Sequence, residues 1–185
     1  MKTRILIVLA IASLITFPER IKADTIEMMD GNKKLKVQIV QETLEKVEYK
    51  KPGLPNQSVP SDKVREVRFY VSGTDYKTAQ EAYTGGDWLT AAKLFKDYAD
   101  SLDSKKDALK SHCLYLSGDS YQKSAQWKDA ISVMNEFTKS YPEHRLYPQA
   151  IKKRALCLMN DGDVKKAKAE FLDLKKELTK KKIGD

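Results

Sequence analysis

The side chains that could do chemistry are few and far apart. The chain carries two histidines, His112 and His144, and two cysteines, Cys113 and Cys157. Neither histidine has a partner at the spacing of a zinc hydrolase, and His112 beside Cys113 with a distant His144 does not give zinc-ligand spacing. Gly85-Gly86 lacks the surroundings of a phosphate-cradling loop, and no Gly-x-Ser-x-Gly elbow occurs. Ser117-Gly118-Asp119-Ser120 holds a hydroxyl and a carboxylate together, but it falls inside a helical pattern. Asp161 and Asp163 flank a turn glycine, where capping accounts for them. General acid–base work needs a poised group within reach of a second, and the sequence offers no such pair. The expectation is a protein without catalytic residues, metal or cofactor.

What positions these residues is a repeat. Gly86-Asp87-Trp88…Ala91…Phe95 is followed by Ala125-Gln126-Trp127…Ala130…Met134 and by Gly162-Asp163-Val164…Ala167…Phe171. The intervals are 39 and 37 residues. A second small site recurs upstream at Ala79, Gly118 and Ala155. Self-similarity at such a period marks a solenoid of helical hairpins. Small residues let two helices approach closely, while Trp88, Trp127, Phe95, Met134 and Phe171 fill the space around them. Gly86-Asp87 and Gly162-Asp163 are turn chemistry between helices. Pro142 ends one helix, and Pro148 suits the first turn of the next.

This pattern resembles the tetratricopeptide repeat (TPR), a helix-turn-helix unit of about 34 residues. The second unit carries it best, with Leu114, Ser117-Gly118, Tyr121, Trp127, Ala130, Phe137 and Pro142. The third has Ile151, Ala155, Leu158 and Leu174. The first is weaker, because Asp75 stands where a large apolar residue is expected. The resemblance covers about residues 74–182. The stretched connection Tyr141-Pro142 to Tyr147-Pro148 resembles the periplasmic subgroup of the family. That subgroup includes the Tol–Pal-associated periplasmic protein and the TPR lipoprotein of outer-membrane assembly. The resemblance implies that the first helix of each unit lines a concave face. Its non-core positions would then form a partner-binding groove. In unit one these are Tyr76, Gln80 and Tyr83. In unit two they are His112, Tyr115, Asp119 and Gln122, and in unit three Gln149, Lys152, Leu156 and Met159. Tyrosines with amides and a few apolar side chains suit a peptide or helix.

Residues 1–23 read as a secretory signal peptide: basic Met1-Lys2-Thr3-Arg4, an apolar run from Ile5 to Phe17, and a cleavage site after Ala23. Retention as an anchor stays open. No cysteine follows the run, which departs from the lipoprotein relatives. A periplasmic or secreted location follows. The whole chain is +8. Residues 1–23 hold four basic side chains and one acidic, so the mature chain is near +5. Much of this lies at Lys175-Lys176 and Lys180-Lys181-Lys182. These lysines either solvate a helix end and complement its dipole or contact an acidic surface. Without an aromatic-basic module, nucleic acid is not implied. Export permits a disulfide. Cys113 and Cys157 sit at different repeat positions, offset by about 10 Å along helices that rise 1.5 Å per residue. That exceeds the roughly 7 Å a disulfide spans, so two free, buried thiols are expected.

Residues 24–72 change period. Leu35, Val37 and Ile39 alternate with polar residues, as do Val47 and Tyr49. Asp30-Gly31 is a hairpin turn between Thr25–Met29 and Lys34–Gln41. Val59, Val64, Val67 and Phe69 suggest further short strands after the loop at Pro52–Asn56. The segment reads as a small antiparallel module, SH3-like or a curled sheet, joined at Ser72-Gly73-Thr74 to the helical domain of residues 73–185. So small a module is marginal alone and is expected to pack on the first repeat. It is either a second recognition site or dimerisation edge, or a cap on the solenoid. The fold class is therefore α+β: a β module followed by about three helix hairpins. The functional expectation is an exported scaffold binding a protein or peptide in a bacterial cell envelope. The alternative is a cell-wall glycan-binding accessory to envelope enzymes. Self-association through the last helix (Phe171, Leu172, Leu174, Leu178) is a further expectation.

Overall fold

Strands fill residues 24–68 and helices residues 74–180, in a computed structural model that describes residues 23–180. Residues 1–22 of the segment expected to be a signal peptide, and Lys181-Lys182, lie outside the described residues. The strands are β1 (Asp24–Met28), β2 (Lys33–Glu42), β3 (Lys46–Lys50), β4 (Gln57–Pro60) and β5 (Val64–Arg68). The expected hairpin is present: Gly31 takes φ +84°, and Asp30 Oδ1 accepts from the Asn32 amide at 3.0 Å. Strand β2 is long enough to pair with β1 through one half and β3 through the other. The sheet runs β4-β3-β2-β1-β5, all antiparallel. A single 3₁₀ turn, Ser61–Lys63, links β4 to β5. This is the strand order of an SH3-like barrel. Its core is the alternating apolar set that the period-two pattern marks, including Ile26, Val37, Val47, Tyr49 and Val67.

The helices are α1 (Thr74–Gly85), α2 (Trp88–Ser101), α3 (Asp107–Lys123), α4 (Trp127–Ser140), α5 (Tyr147–Asn160) and α6 (Val164–Lys180). Each packs on the next in sequence, and α3 also touches α5. Ala79, Ala155, Ala91, Ala130 and Ala167 are all buried, as the small-site pattern requires. At Gly118 the approach is closest: an added Cβ would lie 2.7 Å from Met134 Cε. The three inter-helix turns use the left-handed region at homologous sites, Gly86 (φ +83°), Ala125 (φ +57°) and Gly162 (φ +95°). Asp87 and Asp163 cap the following helices by accepting from Thr90 and Lys166 amides. Unit two has alanine and Gln126 at these positions, and Gln126 makes no side-chain cap. Arg154 ties three helices together: it donates to Glu170 on α6 and to Asn135 and Thr138 on α4. Both cysteines are free and buried.

Two expectations change. Tyr76, read as a non-core position, is 1 % exposed and packs edge-on to Phe95 at 5.9 Å. Asp75 points to solvent instead; the adjacent aromatic fills the core while Ala79 keeps its expected buried place. The β module docks chiefly on the second unit, not the first. Strand β2 lies against α3, and the Leu44 amide donates to the Glu143 carbonyl in the α4–α5 connection at 2.7 Å. Phe69 packs on both the barrel core and the helical core. Sharing that side chain lets a module with little apolar area of its own bury more.

Candidate partner-binding surface

The first helices of the three hairpins, α1, α3 and α5, meet at Asp119. This residue, 4 % exposed, accepts from Tyr83 Oη on α1 at 2.6 Å. It pairs with Lys123 at 2.9 Å and with Lys153 on α5 at 2.5 Å. Lys123 also donates to Tyr83 Oη at 2.7 Å and lies over the Tyr83 and Trp88 rings at 4.3 and 4.4 Å. Gln122 accepts from Lys153 at 3.1 Å. Burial by itself would raise the Asp119 carboxyl, but the hydrogen bonds from Lys123, Lys153 and Tyr83 prevail and hold it below the usual carboxylate range. Burial, then the bond to Asp119, raises the Tyr83 phenol well above its ordinary value. A buried carboxylate with three donors is a joint that locks the three inner helices in register.

The predicted groove residues therefore separate. Gln80, Tyr83, Tyr115 and Gln122 are half-buried, while Gln149, Lys152, Leu156 and Met159 are exposed. Gln80 donates to Tyr76 Oη at 3.1 Å. His112 and Asp119 join Tyr76 as corrections, being buried and not open to solvent. The β module and the neighbouring lysines cover them, which a single-helix pattern cannot show. The hydroxyls flanking Asp119 also have structural partners: Ser117 donates to the Ala92 carbonyl on α2 and Ser120 to the Leu116 carbonyl.

Between β5 and the inner helices lies a cavity of about 850 Å³. Tyr83, Phe95, Tyr115 and Leu116 form its apolar part, and Lys77, Gln80 and Glu81 its rim on α1. It joins the β module's docking site through His112 and Arg145. At that joint Glu42 from β2 is buried and pairs with Arg145. His144 Nδ1 accepts from the Leu146 amide at 3.1 Å, so the ring carries its proton on Nε2. That nitrogen faces Glu42 Oε1 at 3.8 Å. His112 stacks obliquely on Phe69 at 5.0 Å. Burial, then the Arg145 charge, lowers the His112 ring to about 4 and the His144 ring to about 3. Burial pushes the Glu42 carboxyl up, against the opposing pull of Arg145. Nothing in the amino-acid pattern marked Glu42 or Arg145, since their pairing spans 103 residues. Among the described residues no cluster of three His, Cys, Asp or Glu side chains could hold a metal ion, and no helix is long and apolar enough to cross a membrane.

A second surface is apolar. Leu156 and Met159 on α5 and Val164 and Leu172 on α6 are exposed. Phe171 occupies the repeat position of the buried Phe95 and Met134, yet it is 36 % exposed.

Residues 112–144, which take in most of α3, all of α4 and the start of the connection to α5, match the family model of the tetratricopeptide repeat. No curated protein matches the chain. Tetratricopeptide repeats are in general non-catalytic scaffolds for protein–protein interaction, and the match supports that class of role here.

Proposed function

We propose that this protein is an exported, non-catalytic adaptor that holds a segment of a partner protein against its inner helices in a bacterial cell envelope. The observation that carries this reading is the cavity of about 850 Å³ between β5 and α1/α3, with Tyr83, Phe95, Tyr115 and Leu116 in its lining and charged side chains from β5 and α1 around them. A site of this size that combines apolar and aromatic side chains with charged ones suits a ligand segment. Export rests on the leader-like residues 1–23. The envelope setting rests on the resemblance of the Tyr141–Pro148 connection to the periplasmic subgroup. Leu156, Met159 and Lys152 are exposed on α5 but do not line this cavity. The glycan alternative needs Tyr76, Tyr83 and Tyr115 as an exposed platform. Tyr76 is in the core, and the Tyr83 hydroxyl is committed to Asp119, so that reading loses its support.

Two subsidiary contacts belong to the same proposal. Lys175, Lys176 and Lys180 are exposed on α6 and suit an acidic surface. The apolar strip of α5 and α6 suits a second copy. A light-scattering mass of one chain at high concentration counts against the second copy.

The test places a photo-crosslinking residue at Gln80 in the cavity and, as control, at Lys93, exposed on α2, in cells of the source organism. One or two envelope proteins crosslinked from Gln80 and not from Lys93, and retained at high salt, support the reading. Identical crosslinks from both positions, or only cell-wall fragments, refute it.

A further inference from the structure

One wall of the cavity is a free strand edge. Strand β5 is terminal in the sheet and pairs with β1 alone. Four consecutive residues, Arg65, Glu66, Val67 and Arg68, border the cavity. Successive side chains of a strand point to opposite faces, so a space that touches four in a row runs along the edge and not over a face. Val67 makes this plain. Its side chain is 1 % exposed within the barrel core, so it meets the cavity through its main chain. Among the described residues, no hydrogen bond from outside the sheet reaches the main chain of residues 65–68. The opposite edge, β4, is four residues long and ends on Pro60, a feature that discourages strand addition. Strand β5 contains no proline.

The wall opposite selects charge. Helix α1 turns Lys77, Gln80, Glu81 and Thr84 to the cavity, one helical face. Its cations are Arg65, Arg68, Lys77 and Arg145, against the carboxylates Glu66 and Glu81. Arg145 is paired with the buried Glu42. Arg65 pairs with Glu27, Arg68 with Glu27 and Glu66, and Lys77 with Glu81, but through cation side chains that are half or more exposed. Solvent weakens these pairs and leaves the cations open to an incoming carboxylate. Like charges on β5 keep two copies of this edge apart, while an acidic strand is drawn in.

We propose that the cavity takes an extended, acidic segment of a partner protein, added to β5 as a sixth strand. Alternate side chains of that segment would face the floor at Tyr115 and Leu116. About five residues, spanning roughly 17 Å, would pair with β5. Main-chain bonds would supply affinity, and pockets for alternate side chains would supply specificity. This rests on the reading of the cavity as the partner site.

The test uses random octapeptides displayed on phage and selected against the purified protein. The enriched peptide is then synthesised with one backbone N-methyl group at each position in turn. The expected result is an enriched sequence rich in Asp and Glu. N-methylation at alternate positions should weaken it on the order of tenfold, with the positions between unaffected. Lys77→Glu, an exposed substitution, should weaken it severalfold. Sensitivity spaced by three or four residues, or none, overturns strand addition while leaving the groove as the partner site. Enrichment of basic or neutral strands overturns the charge assignment. Failure of any peptide to bind, or binding indifferent to Lys77→Glu and not captured from position 80, overturns the cavity as the partner site as well.

Discussion

Acidification from pH 7 to pH 5 should loosen this protein, and the two histidines set the size of the effect. The chain has only two, His112 and His144, and both are buried at the joint between the β module and the helices. In the unfolded chain each ring titrates near 6.5. In the folded chain burial and Arg145 hold them at about 4 and about 3. Below pH 6.5 the unfolded state therefore binds more protons, and stability falls with pH. The stability is fully present above 6.5 and is lost as pH drops toward the folded values. At pH 5 an unfolded ring is almost wholly protonated and neither folded ring is, so each costs about 2 kcal/mol and the two together about 4 kcal/mol. The figure depends little on the folded values as long as both lie below 5. The groups facing the rings are Arg145 and Glu66 for His112, and Arg145, His112 and Glu42 for His144. Glu42 acts in the opposite sense. Its raised carboxyl takes up a proton sooner in the folded state and returns part of the loss, so about 4 kcal/mol is an upper figure. Urea unfolding at pH 7 and pH 5 reads the difference, and NMR titration of the two rings reads the cause. His112→Gln and His144→Gln should each remove about half of the pH dependence. A change under about 1 kcal/mol, or rings that titrate near 6.5, would refute the reasoning.

Three further outcomes can be checked by unfolding or labelling. Ala125 holds a left-handed conformation that Gly86 and Gly162 hold in the other units. Ala125→Gly should therefore stabilise by about 1 kcal/mol, and adding Gln126→Asp to restore the cap should contribute a similar amount; a loss of stability in urea would count against the strain. Asp119→Asn removes the charge that Lys123 and Lys153 share but keeps the shape, and should cost about 1–3 kcal/mol; both lysines reach solvent, so the lower part of that range applies. An unchanged midpoint would mean that the three-helix joint is not held by this charge. Cys113 and Cys157 are fully buried, and burial raises both thiols, Cys157 to about 11; a thiol reagent at pH 8 should label neither until denaturant is added. Rapid labelling of the native protein would contradict the packing.

The repeat was legible because its signals are local. Gly or Ala at the turn, a small residue inside each helix and a large apolar residue opposite recur in phase; the small helix residues, Phe95 and Met134 bury where the pattern puts them, while Phe171 stays partly exposed. The barrel strands were legible for the same reason, since alternation at Val37, Ile39, Val47 and Tyr49 needs no knowledge of a neighbour. Unit one shows where this stops. Asp75 and Tyr76 are adjacent, and only packing against Phe95 and Tyr98 decides that the tyrosine turns inward. His112 and Asp119 read as surface positions from their helix alone. The β module covers the first, and side chains of α1 and α5 the second.

The amino-acid sequence by itself determined the elements, their order and the small residues at which the helices close on one another. Each of these is fixed by periodicity and turn chemistry within about forty residues of chain. The tertiary structure alone decided where the β module sits, which groove residues remain open, and that the free edge of β5 forms the wall of the cavity. Those outcomes depend on contacts such as Glu42 with Arg145 and Leu44 with Glu143. The partners lie about a hundred residues apart in sequence, and no local pattern links the two sides of such a contact.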